Sequence, residues 1–505
     1  MLKLNPEDIG LGTLRRLWQG EAASLDDASM QRIGTAAASV ERIVAGGETV
    51  YGVNTGFGLL ANTRIPDDRL AELQTNLILS HSAGLGDPLP RYVTRLMIVL
   101  KLLGLGRGYS GVRPLVISAL QALLDRDAMP VIPAQGSVGA SGDLAPLAHL
   151  IAALMGHGTI DMAGEVVPAH VALKRLGREE LQLGPKEGLA LINGTQASTA
   201  IALDALFSGE RVFAAAIAAG ALSVDALKGS VKPFDPRLGA LRGQPGQIRV
   251  AEALRELLDG SEIVASHATQ CPKVQDPYSF RCQPQVMGAA LDLLESAART
   301  LMIEAGAVTD NPIVFPNEDT AISGGNFHAQ PVAFAADMIS MALCEVGSIS
   351  ERRVAVLIDP KMSGLPPFLT EDSGVNSGLM IPQVTAAALV SENKSLAYPA
   401  SVDSIPTSAG QEDHVSMAPI AARKAGQIAR NAAGVIAVEL IAAAQGIDCH
   451  APLKTSPKLQ SVHADVREIS PRMAGDRYWA SEMAALQAAV LAGGISSQLE
   501  LLPGA

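Results

Sequence analysis

Hydrophobic positions along the chain fall in long runs with helical spacing, broken by short polar, glycine-rich islands. Residues 25–45 and 67–80 read as helices that flank a glycine-rich loop, YGVNTGFG. From about Tyr92 onward helical patterns dominate, through VTRLMIVLKLL, PLVISALQALL and LAPLAHLIAALM. Two stretches, 331–358 and 416–445, run unusually long with few breakers. At 1.5 Å per residue the first would extend about 40 Å. Alanine-rich helices of that length predict an elongated bundle, because small side chains let helix axes approach closely. The pattern predicts a mainly α protein: a smaller mixed N-terminal domain over 1–108 and a mainly helical domain over 109–505. No 20–50-residue repeat interrupts it.

Composition agrees. Of 505 residues 48% are hydrophobic but only 3% aromatic, with 2 Trp, 6 Tyr and 9 Phe. There is enough apolar surface to offset ordering entropy, which excludes a disordered chain. Scarce aromatics and abundant Ala and Leu disfavour a β-sandwich. The 48 Gly and 30 Pro require substantial loops. A net charge of −12 argues against a nucleic-acid partner, which needs clustered cations. The four cysteines (Cys271, Cys282, Cys344, Cys449) form no CxxC pair, so neither a disulfide scaffold nor a metal site is expected. The opening MLKLNPEDIGLGTLRRLW lacks a long apolar core, and the longest apolar stretch found, 212–224, is short of the ~20 residues that span a bilayer. The expectation is a cytoplasmic protein with no membrane partner and no metal.

Chemistry concentrates in the islands, because loops on a rigid frame carry function. In Gly136-Ser137-Val138-Gly139-Ala140-Ser141-Gly142-Asp143 there is no lysine for a phosphate loop, no GxGxxG spacing and no GxSxG elbow. One reading is the start of a helix, with Ser141 or Asp143 as the cap. Another uses Ala-Ser-Gly in that order. A glycine nitrogen is the least hindered backbone nucleophile, and in a tightly bent loop the Gly142 nitrogen can attack the Ala140 carbonyl carbon. Loss of water closes an imidazolone; loss of the Ser141 hydroxyl leaves an exocyclic methylidene, an electrophile made from the chain itself.

GSVGASGDLAPL resembles the signature of the ammonia-lyases that carry a 4-methylidene-imidazol-5-one (MIO) group. YGVNTGFG, INGTQ, QDPYSFR, TDNP, SGGNFH and GQEDH resemble further motifs of that family in its order, over positions 51–414. The resemblance implies an aromatic ammonia-lyase fold, no external cofactor, and MIO formed from Ala140, Ser141 and Gly142. It implies Tyr51 as the base for the β-proton, and Asn193 beside the prosthetic group and the substrate amine. Phe327 would pack against the group. Gln275, Tyr278 and Arg281 would come from a neighbouring subunit of a homotetramer, with Arg281 on the substrate carboxylate and Tyr278 assisting in catalysis. Ser80-His81 matches the histidine-type members, which convert L-histidine to trans-urocanate and ammonia, the first step of histidine degradation. Glu412 is a carboxylate suited to an imidazole ring, as an orienting group, a second base or both. Residues 412–414 read alternatively as a solvated helix start capped by Asp413. Other readings are a tyrosine- or phenylalanine-specific lyase, an aminomutase of the same family, or an inactive helical scaffold. His81 and Glu412 disfavour the family alternatives, and the intact Ala140-Ser141-Gly142 with Tyr51 disfavours the scaffold.

Overall fold

The structure is a computed structural model and describes residues 1–46, 65–66, 69–267 and 274–495. Three long helices form its axis: Gln196–Ala226, Gln330–Ile358 and Ala418–Asp448. The Ala418–Asp448 helix packs along both of the others. Gln283–Ala305 lies against Gln330–Ile358, with Pro245–Leu258 outside it, while Met380–Leu396 and Ala480–Ala492 flank Ala418–Asp448. Alanine makes this closeness possible. At Gly446 an added Cβ would stand 2.8 Å from the Ala226 Cβ, so the two axes approach as far as backbones allow.

Two of these helices match the expected long stretches, with bounds shifted by a few residues. Ala418–Asp448 begins two residues later than the pattern predicts because Met417 is left-handed (φ 56°) and Ser416 turns its Oγ to the Ala418 N–H. Asp413 therefore caps nothing here, contrary to the alternative reading. The third, Gln196–Ala226, was not anticipated as a single helix. Its apolar part appeared as residues 212–224 alone, because Ser, Thr, Asp and Gly hide the rest of its length; those polar groups are nevertheless buried. The expectation of no membrane-length segment also needs correcting. All three central helices are long and apolar enough to cross a membrane by length and composition. Here 83%, 67% and 89% of their apolar windows lie buried within the fold itself.

The helix expected over 25–45 is Asp27–Ala45, capped by Asp26, whose carboxylate accepts from Ser29 N–H. The one expected over 67–80 runs Leu70–His81 and lies against Leu144–Leu154. Short strands join the helices. Leu85–Pro88 pairs antiparallel with Pro133–Gln135, and this pairing leads directly into the glycine-rich loop at 136–143. Ala128–Pro130, Thr159–Met162 and Glu165–Pro168 form a three-stranded sheet. Ile313–Phe315 and Thr320–Ile322 make the hairpin that precedes SGGNFH.

One polar node interrupts the apolar axis. Glu439 and Arg353 are fully buried, with Arg353 Nη2 2.8 Å from Glu439 Oε2. Ser223 and Ser350 hydroxyls donate to the same carboxylate at 2.7 and 2.6 Å. One residue cluster thus ties together all three central helices. Removing one partner from a buried ion pair strands the other charge. Glu439→Gln is expected to destabilise the fold by about 3–5 kcal/mol, and Arg353→Met with Glu439→Met should recover most of it. Chemical denaturation of the single and double variants checks this.

Candidate functional site

The loop 136–143 is bent by its own backbone. Gly139 and Gly142 have φ of 83° and 82°, and Ser141 between them adopts φ 50°, a strained value for a residue with a side chain. Gly142 N–H donates to Gly139 C=O at 3.2 Å and closes the turn. The bend is pressed against Gly194: an added Cβ at Gly142 would lie 2.2 Å from the Gly194 carbonyl oxygen. Asp143 N–H donates to that oxygen at 2.7 Å. Asn193 Nδ2 donates to Ser141 C=O at 2.8 Å. INGTQ therefore holds the C-terminal side of Ala140-Ser141-Gly142.

Asp143 is not the side-chain cap of the Leu144–Leu154 helix, contrary to one sequence reading. Its carboxylate crosses to the start of the Gln196–Ala226 helix and accepts from Ser198 N–H and Oγ at 2.7 and 2.9 Å. It satisfies amide groups that this helix end leaves open. Burial dominates nonetheless and pushes its pKa up to about 7, with Glu304 adding to the rise.

Beneath Asn193 lies a second buried charge. Lys101 Nζ donates to the Asn193 carbonyl at 2.9 Å. Burial lowers its pKa to about 8, opposed by the charge of Asp310. Asp310 itself pairs with buried Lys186 at 2.9 Å and accepts from Ser110. Sequence reasoning missed Lys101, although a single lysine within the apolar run LMIVLKLLGLG was a usable signal.

A cavity of about 390 Å³ opens over the bend. It is lined by Ala140, Ser141, Asn193, Phe327 and Glu412, which the sequence singled out, and by Asn311, His328 and His414, which it did not. Ser141 Oγ donates to Glu412 Oε1 at 2.7 Å. The other carboxylate oxygen accepts from Thr407 Oγ1 at 3.1 Å and Ser408 Oγ at 2.5 Å. The His328 and His414 rings stack with centroids 5.9 Å apart, and His328 Nε2 donates to His414 C=O at 3.1 Å. That bond ties SGGNFH to GQEDH. Asn311 holds the same SGGNFH loop by accepting from Gly324 N–H at 2.7 Å.

The remaining candidates stand apart from this cavity's lining. His81 ends its helix with Nδ1 donating to Leu77 C=O at 2.8 Å, which leaves Nε2 for another partner. Its chain continues into Ala83 and Gly84, which lie against Gly136 at the start of the bent loop. Gln275 and Tyr278 are exposed, and Tyr278 is 72% accessible. The Arg281 guanidinium lies 4.5 Å from the Tyr278 ring centroid, with its Nε buried and unpaired. Tyr51 lies outside the described residues.

Asp143 gives a pH signature. Its folded pKa is raised, so its contribution to stability is full below about pH 4 and is lost as pH rises through about 7. Asp143→Asn cannot ionise. The melting-temperature advantage of wild type over this variant should shrink from about pH 4 to about pH 7 and then level off, which differential scanning calorimetry across and above that range checks.

Residues 9–468 match the aromatic amino acid lyase family. A histidine ammonia-lyase from Trypanosoma cruzi is 39% identical, over 100% of this chain and 95% of that one, with a TM-score of 0.89. A tyrosine aminomutase from Streptomyces globisporus is 32% identical over 99% of each chain, with a TM-score of 0.93. An ergothionase from Treponema denticola is 26% identical, over 98% of this chain and 99% of that one, with a TM-score of 0.92. The bent Ala-Ser-Gly loop, the long helical axis and these likenesses over the full length agree: the chain belongs to the aromatic amino acid lyase family.

Proposed function

We propose that this lyase eliminates ammonia from L-histidine to give trans-urocanate. The observation that carries the reading is Glu412, a carboxylate anchored by Thr407 and Ser408 and presented into the cavity directly over Ser141. A carboxylate there accepts an imidazole N–H or pairs with an imidazolium, whereas a phenyl ring would leave it unmatched.

The residues present suit the MIO group. The left-handed Ser141 and Gly142, the turn bond from Gly142 to Gly139, and the absence of room for a Cβ at Gly142 describe a loop compressed for ring closure. Asn193 Oδ1 is buried without a partner beside it, available to a substrate amine. Ala140, Ser141 and Gly142 would form the group and Asn193 and Phe327 would flank it; when formed it supplies an electrophilic carbon to the substrate amine, which makes ammonia a better leaving group. Tyr51 is proposed to take the β-proton. His81, whose Nε2 has no hydrogen-bond partner among the described residues, is suited to the substrate ring. Gln275, Tyr278 and Arg281 are proposed to serve the site of a neighbouring subunit, with the Arg281 fork on the carboxylate. The exposure of Tyr278 and the unpaired Arg281 Nε support that assignment, and with it a homotetramer.

The test is to offer L-histidine, L-tyrosine and L-phenylalanine separately and follow the acrylate absorbance, with chromatography for β-amino acids. Urocanate from L-histidine alone is the expected result; a cinnamate, a coumarate or a β-amino acid as the main product overturns the substrate assignment. Ser141→Ala should reduce turnover by about 10³-fold or more, and the intact chain should no longer be two waters lighter than its sequence. Light scattering on the native protein should give the mass of four chains.

A further inference from the structure

We propose that Glu412 is also the catalytic residue for the dehydration of Ser141, and so builds the electrophile before serving the substrate. The inference rests on the reading of Ala140-Ser141-Gly142 as the source of the MIO group.

The geometry points to this role because the Ser141 hydroxyl donates to Glu412 Oε1 at 2.7 Å. Three other titratable side chains nearby are engaged elsewhere. Asp143 faces Ser198, Lys101 holds the Asn193 carbonyl, and His328 faces the carbonyl of His414. Glu412 reaches Ser141 from a braced position. Thr407 and Ser408 fix its far oxygen, and Thr407 N–H donates to Glu412 C=O at 3.0 Å. The oxygen facing Ser141 is thus the one free to exchange a proton.

The step balances without any added reactant. Ring closure of the Gly142 nitrogen on the Ala140 carbonyl releases the first water. The Ser141 Cα–H then lies between the ring C=N nitrogen and the Ser141 carbonyl carbon and is acidified. Glu412 takes this proton, and the C–H electron pair forms the Cα=Cβ bond. The Cβ–Oγ bond breaks with its pair on Oγ, which takes the proton back from Glu412. Water leaves, and Glu412 is again a carboxylate, now without its hydroxyl partner and open to the cavity. A proton shuttle of this kind contributes about 10²–10⁴-fold.

Glu412→Gln keeps a hydrogen-bond acceptor of the same shape but cannot shuttle the proton. The experiment follows the intact mass of the full chain at intervals after cell-free synthesis, with circular dichroism to confirm folding. Wild type should proceed to the loss of two waters. The variant should accumulate the species that has lost one, with the second loss slowed by about a hundredfold. A Glu412→Gln chain that loses the second water as fast as wild type, or stalls before the first, overturns the proposal. If that variant fails to fold, Thr407→Val with Ser408→Ala takes its place: the loosened carboxylate should slow the second loss, and an unchanged rate overturns the proposal. A wild-type chain that keeps both waters overturns the MIO reading itself.

Discussion

The contact on which the site depends is the crossing of two glycines. Gly142 lies so close to Gly194 that no side chain fits at the first, and the hydrogen bond from Asp143 N–H to the Gly194 carbonyl fixes the crossing. Because the loop cannot relax outward, Ser141 stays left-handed. That conformation costs of order 1–3 kcal/mol when unsupported. The support comes from the Gln196–Ala226 helix, whose first turn donates to the Asp143 carboxylate and whose remaining length is buried along the axis of the protein. A local strain is thus balanced by one of the most extensively packed elements in the fold.

The same arrangement explains why charges lie under an apolar frame. Burial penalises both Asp143 and Lys101, yet each performs a task that a hydrocarbon cannot. Asp143 satisfies amides at a helix start that faces inward. Lys101 pins the backbone of Asn193, whose side chain pins the Ser141 carbonyl. The bend is held from below by a chain of hydrogen bonds rather than by side-chain bulk. That suits a loop built of Gly, Ala and Ser, which has little bulk to grip.

The helical frame was legible because periodicity and composition agree over most of the chain. Two of the three central helices were visible as unbroken runs. Gln196–Ala226 was not, because its buried Ser, Thr and Asp residues look like surface when read singly. They are buried because they answer partners distant in sequence, as Ser198 answers Asp143 and Ser223 answers Glu439. The site was legible to the extent that its residues sit in distinctive islands: Ser141, Asn193, Phe327 and Glu412 meet around one cavity. Lys101 escaped attention because its role is to support other groups, and the His328–His414 stack because neither island alone shows that the two loops meet. Two capping assignments failed. Asp143 has a partner nearer in space than its own helix, Ser198, and Asp413 is displaced because the left-handed Met417 delays the next helix and Ser416 meets its first amide.

The anchoring of Glu412 is where these constraints converge. A carboxylate held by the Ser141 hydroxyl alone would lose its place once that hydroxyl departed. Here the opposite oxygen is bound by Thr407 and Ser408, and the loop that carries it is fastened to SGGNFH through His328 and His414. Its position is therefore set independently of Ser141. One face of the carboxylate is spent on structure and the other stays available, first to the serine and afterwards to whatever enters the cavity. A side chain braced on one oxygen loses little further freedom when the other engages a ligand, so it is ordered before the substrate arrives.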